Sequence, residues 1–163
     1  MTQKTSLAHE QAATQDGLST DERFPRNGEQ PRLQEINSPP KDYFVAKDGQ
    51  LFAGGHVLAD LWGGRNLDDQ AFVEEALRAA VTACSATLLH IHLHRFSDSG
   101  GLSGVAVLAE SHISVHTWPE RQFAAFDIFM CGTCDPEKAL PVLQEYFRPA
   151  HMKVDLHRRG IVV

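Results

Sequence analysis

Residues 87–95 alternate without a break: Leu89, Ile91 and Leu93 fall on one side, His90, His92 and His94 on the other. A period of two is that of an extended strand with one face in a core. A half-buried strand cannot stand alone; the chain must also supply neighbouring strands and a layer to cover their apolar side. The flanking sequence offers both. Residues 56–62, His-Val-Leu-Ala-Asp-Leu-Trp, form a strand closed by Gly63-Gly64. Asn66 or Asp68 is placed to cap a helix whose Phe72, Val73, Ala76, Leu77, Ala80, Val81 and Cys84 share one stripe.

Beyond the loop Ser97-Asp98-Ser99-Gly100-Gly101, strands are expected at 105–108, 113–116 and 123–131. Asp135-Pro136 opens a second helix carrying Leu140, Leu143, Tyr146 and Phe147, with a kink expected at Pro141. Met152, Val154 and Leu156 mark a last strand. Helices recur between strands and tight hairpin signals are few. The expected fold is α+β: a two-layer α/β sandwich, with a mainly antiparallel sheet and both helices on one face.

Composition sets the frame for function. The chain has 163 residues, 42% of them hydrophobic, and a net charge of −6. That suits one soluble domain, since roughly 100–200 residues per domain is usual. No apolar run approaches the roughly 18 residues of a membrane span, and the first residues lack a secretory apolar core. No basic stripe points to a nucleic acid. Three cysteines, Cys84, Cys131 and Cys134, are too few and too odd in number for a disulfide framework, so a reducing cytoplasm is the expected setting. Residues 1–40 are polar, broken by Pro25, Pro31, Pro39 and Pro40, and without apolar period. The expected division is a disordered or loosely attached tail, 1–50, and a folded domain, 51–163.

Polar groups concentrate in one otherwise apolar stretch: Ser103, Glu110, Ser111, His112, Ser114, His116, Glu120, Asp127 and Cys131. Such groups cost stability in strands unless they are satisfied, so their density calls for a reason. Taken singly, each is an ordinary exposed strand residue. Gly101-Leu102-Ser103-Gly104 begins like a nucleophile elbow, but Val105 stands where that motif needs glycine. Ser111, His116 and Asp127 are the residue types of a hydrolytic triad, without its context. Cys131-Gly-Thr-Cys134 has dithiol redox spacing but lacks the preceding tryptophan. His90, His92 and His94 have zinc-like spacing with no identifiable carboxylate partner, and a solvent or interface strand is the plainer reading.

One longer pattern goes further. Ala109-Glu-Ser-His-Ile-Ser-Val-His-Thr-Trp-Pro-Glu120, followed by Ala125-Phe-Asp-Ile-Phe-Met-Cys-Gly132, closely resembles the processing and active-site region of the prokaryotic S-adenosylmethionine decarboxylase proenzymes, in their short form. The likeness extends more loosely from about Gly55 to the end. It implies a chain that cuts itself between Glu110 and Ser111. Ser111 Oγ would attack the Glu110 carbonyl, with Ser103 in support, and His116 would then remove the serine α-proton. The product would be a pyruvoyl group derived from Ser111, the only cofactor, with no metal. By the same resemblance a substrate amine would condense with that ketone as a Schiff base, the electron sink would release CO₂, and Cys131 would return a proton as general acid.

Phe96 and His116 would contact the adenine and Glu120 the ribose hydroxyls, while Trp118 is assigned to the core. The implied reaction turns S-adenosylmethionine into the aminopropyl donor of spermidine biosynthesis. Relatives with the same processing residues act instead on arginine or ornithine, and Glu110, Ser111, His116 and Cys131 do not separate these cases. The implied partners are a small-molecule substrate and a second copy of the chain, in a dimer of processed protomers, with no nucleic acid and no membrane.

Overall fold

The computed structural model describes residues 43–163; the expectation for residues 1–42 lies outside them. A small hairpin, β1 (Val45–Lys47) and β2 (Gln50–Phe52), comes first. Asp48 and Gly49 at its tip both have positive φ, +51° and +72°. That is the mirror-image turn an Asp-Gly pair favours. Strand structure is therefore present ahead of residue 51.

The sheet is built from β3 (Gly54–Trp62), β4 (Leu88–Arg95), β5 (Leu102–Leu108), β6 (Ser111–Trp118), β7 (Phe123–Met130) and β8 (His151–Arg159). Their spatial order is β4-β5-β6-β7-β3-β8, and every neighbouring pair is antiparallel. Helices α1 (Gln70–Ala83) and α2 (Ala139–Phe147) pack together on one face, as the α+β sandwich requires. No helix among the described residues is long and apolar enough to cross a membrane.

The stripe on α1 is the one its sequence displays: Val73, Ala76, Leu77, Ala80 and Val81 are buried, with Cys84 at the C-cap. They meet Val57, Ala59 and Leu61 of β3, Ile113 and Val115 of β6, and Phe126 and Ile128 of β7. Removing such a side chain, as in Leu77→Ala, costs about 2–5 kcal/mol. The cap is Asp69, not Asn66 or Asp68, and its carboxylate accepts from the Phe72 amide at 3.1 Å. Asn66 is instead used in a left-handed conformation, φ +58°, in the approach to the helix.

Two further expectations change in the folded chain. The alternation of residues 87–95 breaks at a bulge between Leu88 and His90. Leu88 takes the partly buried inner place while Leu89 is 64% exposed, because an extra residue in one strand turns the next side chain over. Pro141 makes no kink. It falls in the first turn of α2, after a 3-10 turn at Pro136–Lys138, where backbone N–H groups lack intrahelical partners anyway. On β8, Val154 and Leu156 lie toward the helix side but stay exposed, since this edge strand extends past the helical cover.

Candidate active site

Leu108 pairs with Ser111, leaving Ala109 and Glu110 as a two-residue turn between β5 and β6. Glu110 holds φ +63°, a left-handed conformation that costs a non-glycine residue roughly 1–2 kcal/mol. The peptide bond after it is the one expected to break, so backbone strain sits next to the scissile bond. The turn directs the Glu110 carbonyl oxygen at Cys131, whose thiol donates to it at 2.7 Å. Cys131 lies just past β7, at the same end of the sheet. Its amide donates to Ser111 Oγ at 3.3 Å, and its sulfur is 3.5 Å from the same oxygen. Ser111 is 8% exposed and, among the described residues, only it and Thr117 are buried polar side chains. The hydroxyl expected to attack, the carbonyl it would attack and a thiol donor thus meet around one turn.

The second group of expected residues is elsewhere. Ser103 pairs with His116 across β5 and β6, and Ser103 Oγ lies 3.0 Å from His116 Nδ1. Their side chains occupy the outer face of the sheet, away from the helices. Odd and even positions of a strand point to opposite faces, so Ser111 and His116 diverge. Five residues along β6 also separate them by roughly 17 Å. Within one chain the structure does not bring His116 to Ser111.

Phe96 and Glu120 lie at the His116 end. Phe96 directly follows β4; its amide donates to the Gly101 carbonyl at 2.9 Å, and its ring meets the edge of His94 at 4.9 Å. Glu120 sits exposed in a 3-10 turn, Pro119–Arg121, and Pro119 approaches Gly101. The two segments are therefore neighbours.

Trp118 is not core. It is 41% exposed and stacks on Phe123 at 5.3 Å, which stacks in turn on Trp62 at 4.3 Å, while His116 flanks Trp118 at 6.2 Å. This aromatic row lies on the outer face, which no helix among the described residues covers. Trp62 is far from the others in sequence and joins them only through the pairing of β3 with β7.

The rival constellations do not assemble. Asp127 faces His56, at 3.5 Å, and Ser114, at 3.4 Å, on the outer face, so no triad with Ser111 forms. Burial lowers the pKa of His56 although the Asp127 carboxylate pulls it the other way. Cys131 and Cys134 are both free and face different partners. Cys134 donates to the Ser85 carbonyl at 3.4 Å, and burial raises its pKa. Among the described residues no three His, Cys, Asp or Glu side chains gather as metal ligands.

Comparison with known proteins gives one consistent result. Residues 55–160 match the family model described as S-adenosylmethionine decarboxylase. An S-adenosylmethionine decarboxylase proenzyme of Thermomicrobium roseum is 49% identical over 111 residues, covering 68% of this chain and 96% of the relative. One from Methanococcus maripaludis (strain C5) is 46% identical over 112 residues, 67% of this chain and 91% of the relative. Among solved structures, the adenosylmethionine decarboxylase of Aquifex aeolicus superposes with a TM-score of 0.60 at 34% identity, covering 69% of this chain and 94% of that one.

Proposed function

The chain belongs to the S-adenosylmethionine decarboxylase family, and we propose that it is a self-processing enzyme that decarboxylates S-adenosylmethionine to supply aminopropyl groups for polyamine synthesis. The observation that carries the self-processing is the contact of Cys131 Sγ with the Glu110 carbonyl oxygen, 2.7 Å, beside the Ser111 hydroxyl.

The chemistry follows from the chain's own groups. Resonance protects a planar peptide against attack. Here the left-handed Glu110 and the thiol donor act on the same carbonyl, one as strain and one as polarisation. Ser111 Oγ adds to that carbon through a five-membered ring, the C–N bond breaks, and an ester links residues 110 and 111. Loss of the Ser111 α-proton expels the Glu110 carboxylate, and the resulting dehydroalanine hydrolyses to a pyruvoyl end with release of ammonia. The residues present fit that group, because a buried, hydrogen-bonded Ser111 beside a thiol gives a ketone a dry and oriented setting. The group supplies an electrophilic carbonyl and an electron sink for decarboxylation. Cys131, freed from the Glu110 carbonyl by cleavage, is placed to hold the proton that returns to the substrate α-carbon.

The α-proton of Ser111 needs a base, and His116 of the same chain is on the wrong face. A second copy docked on the uncovered outer face resolves this by bringing its own His116 and Ser103, with Phe96 and Glu120, toward the Ser111 end. The exposed Trp62, Trp118 and Val107 on that face support a dimer. Three free thiols support a reducing, cytoplasmic setting.

The test is a parallel assay of CO₂ release from carboxyl-labelled S-adenosylmethionine, arginine and ornithine, with intact-mass analysis of the same sample. Turnover of S-adenosylmethionine alone by a 1–110/111–163 pair is expected. Preference for arginine or ornithine would replace the substrate, and an uncut active chain would remove the mechanism.

A further inference from the structure

Three residues after Cys131 stands a second thiol, Cys134, that the decarboxylation leaves without a task. Both cysteines are free and partly exposed. The Cys134 amide donates to the Cys131 carbonyl at 3.3 Å, so Cys131-Gly132-Thr133-Cys134 closes a β-turn. The ends of such a turn lie less than about 7 Å apart at Cα, and a disulfide spans roughly 4.4–6.8 Å. The backbone therefore sets the two cysteines at bonding range. Their thiols are engaged elsewhere, Cys131 with the Glu110 carbonyl at 2.7 Å and Cys134 with the Ser85 carbonyl at 3.4 Å. Pairing them releases both contacts.

The turn is braced from outside. The Gly132 amide donates to the Tyr43 carbonyl at 2.7 Å, Gly132 has φ +63°, and a Cβ there would come within 3.1 Å of Tyr43 Cδ1. The hairpin that follows Tyr43 is fixed to the β8 end: Phe52 is buried with the Arg158 guanidinium 5.1 Å from its ring centre, and the Val162 amide donates to the Leu51 carbonyl at 2.8 Å. Between hairpin and turn lies a cleft of about 210 Å³, with Lys47, Gly132, Thr133, Cys134 and Arg158 among its walls. It gives a small solute a path to the Cys134 thiol.

We propose that Cys131 and Cys134 are a reversible disulfide site, oxidised by a low-molecular-weight disulfide of the glutathione class, and that the bond silences the decarboxylase. The silencing rests on the function proposed above; the bond itself is a modification of that enzyme, not a redox activity of its own. One cysteine, having given its proton to water, attacks a sulfur of the small disulfide, which forms a mixed disulfide and expels one thiolate. The other, deprotonated likewise, attacks the protein-bound sulfur; the Cys131–Cys134 bond forms and the second thiolate leaves. The expelled thiolates take up the two protons, so the protein loses two electrons and two hydrogens and the small disulfide becomes two thiols. A bonded Cys131 has no proton for the Glu110 carbonyl or for the substrate α-carbon. The loop so closed is short and restrains the unfolded chain little, so a thiol reductant reopens it. In a reducing compartment such a bond is transient and reports oxidation.

The experiment uses the full chain as parent, C134A and uncut S111A, equilibrated at a graded series of oxidised-to-reduced glutathione ratios. Intact mass and non-reducing peptide mapping read the bond, and CO₂ release from carboxyl-labelled S-adenosylmethionine reads its effect. Parent and S111A should each lose two hydrogens, mapped to Cys131–Cys134, with Cys84 still a thiol. Parent turnover should fall about 10²-fold or more, as when a general acid is lost, and return with dithiothreitol. C134A should match the reduced parent and keep its turnover at ratios that silence the parent, because no second thiol completes the exchange. A bond to Cys84, glutathione retained on Cys131 in place of the bond, or parent and C134A silenced at the same ratio would overturn the proposal. The bond in S111A needs no self-cleavage, so its formation beside a parent that never yields two chains would keep the disulfide site and remove the self-cleavage reading instead.

Discussion

At its first residue β6 sets Ser111 against Cys131 and Glu110, toward the helix-covered side; five residues on, it presents His116 with Ser103 to the uncovered side. Both places carry a serine paired with a more reactive group. At the turn, the left-handed Glu110 backbone and the Cys131 thiol meet at one carbonyl beside the Ser111 hydroxyl. At the outer face, the serine and histidine satisfy each other and no scissile bond is near. The difference teaches that one strand presents its two polar pairs on opposite faces, so residues close together in one motif need not share a site within one chain.

The sharpest way to break this comparison is Ser111→Ala. Without the hydroxyl no ester forms, and the chain should stay a single 18.0 kDa species with no decarboxylase activity. Normal cleavage in that variant would move the nucleophile elsewhere. His116→Ala should stall maturation almost as fully, but for a reason another chain can supply. Co-expressed with Ser111→Ala, whose His116 is intact, the His116→Ala chain should regain cleavage. If mixing restores nothing, His116 acts within its own chain and the two-face account is wrong.

Cys131→Ala should slow maturation, since the thiol touches the scissile carbonyl, and then lower turnover of the matured fraction by about 10²–10⁴-fold, as loss of a general acid does. Single-turnover product analysis checks the second effect through misplaced protonation, which would consume the pyruvoyl group. Cys134→Ala should do least. Its thiol donates to Ser85 and packs against the core, so a stability loss of about 1 kcal/mol is expected in urea titration, with cleavage and turnover unchanged. Equal damage from the two cysteine variants would restore a dithiol reading of the pair.

The sequence by itself determined the elements and the family. The stripe on α1 is legible because burial on one helical face imposes a 3.6-residue period. The Glu110-Ser111-His112 motif, with Cys131 after it, is legible because the chemistry requires those side chains at fixed positions. Tertiary structure alone decided how the parts face one another. Leu89 turned outward because pairing with β5 admitted a bulge, which no intrinsic preference of the strand specifies. Trp118 joined Phe123 and Trp62 at the surface because strand order brought residues from β6, β7 and β3 side by side. Tyr43 met Gly132 because a hairpin locked on β8 set its end against that loop. Each of these contacts joins residues distant in the chain, and a local pattern carries no record of which distant neighbour will arrive.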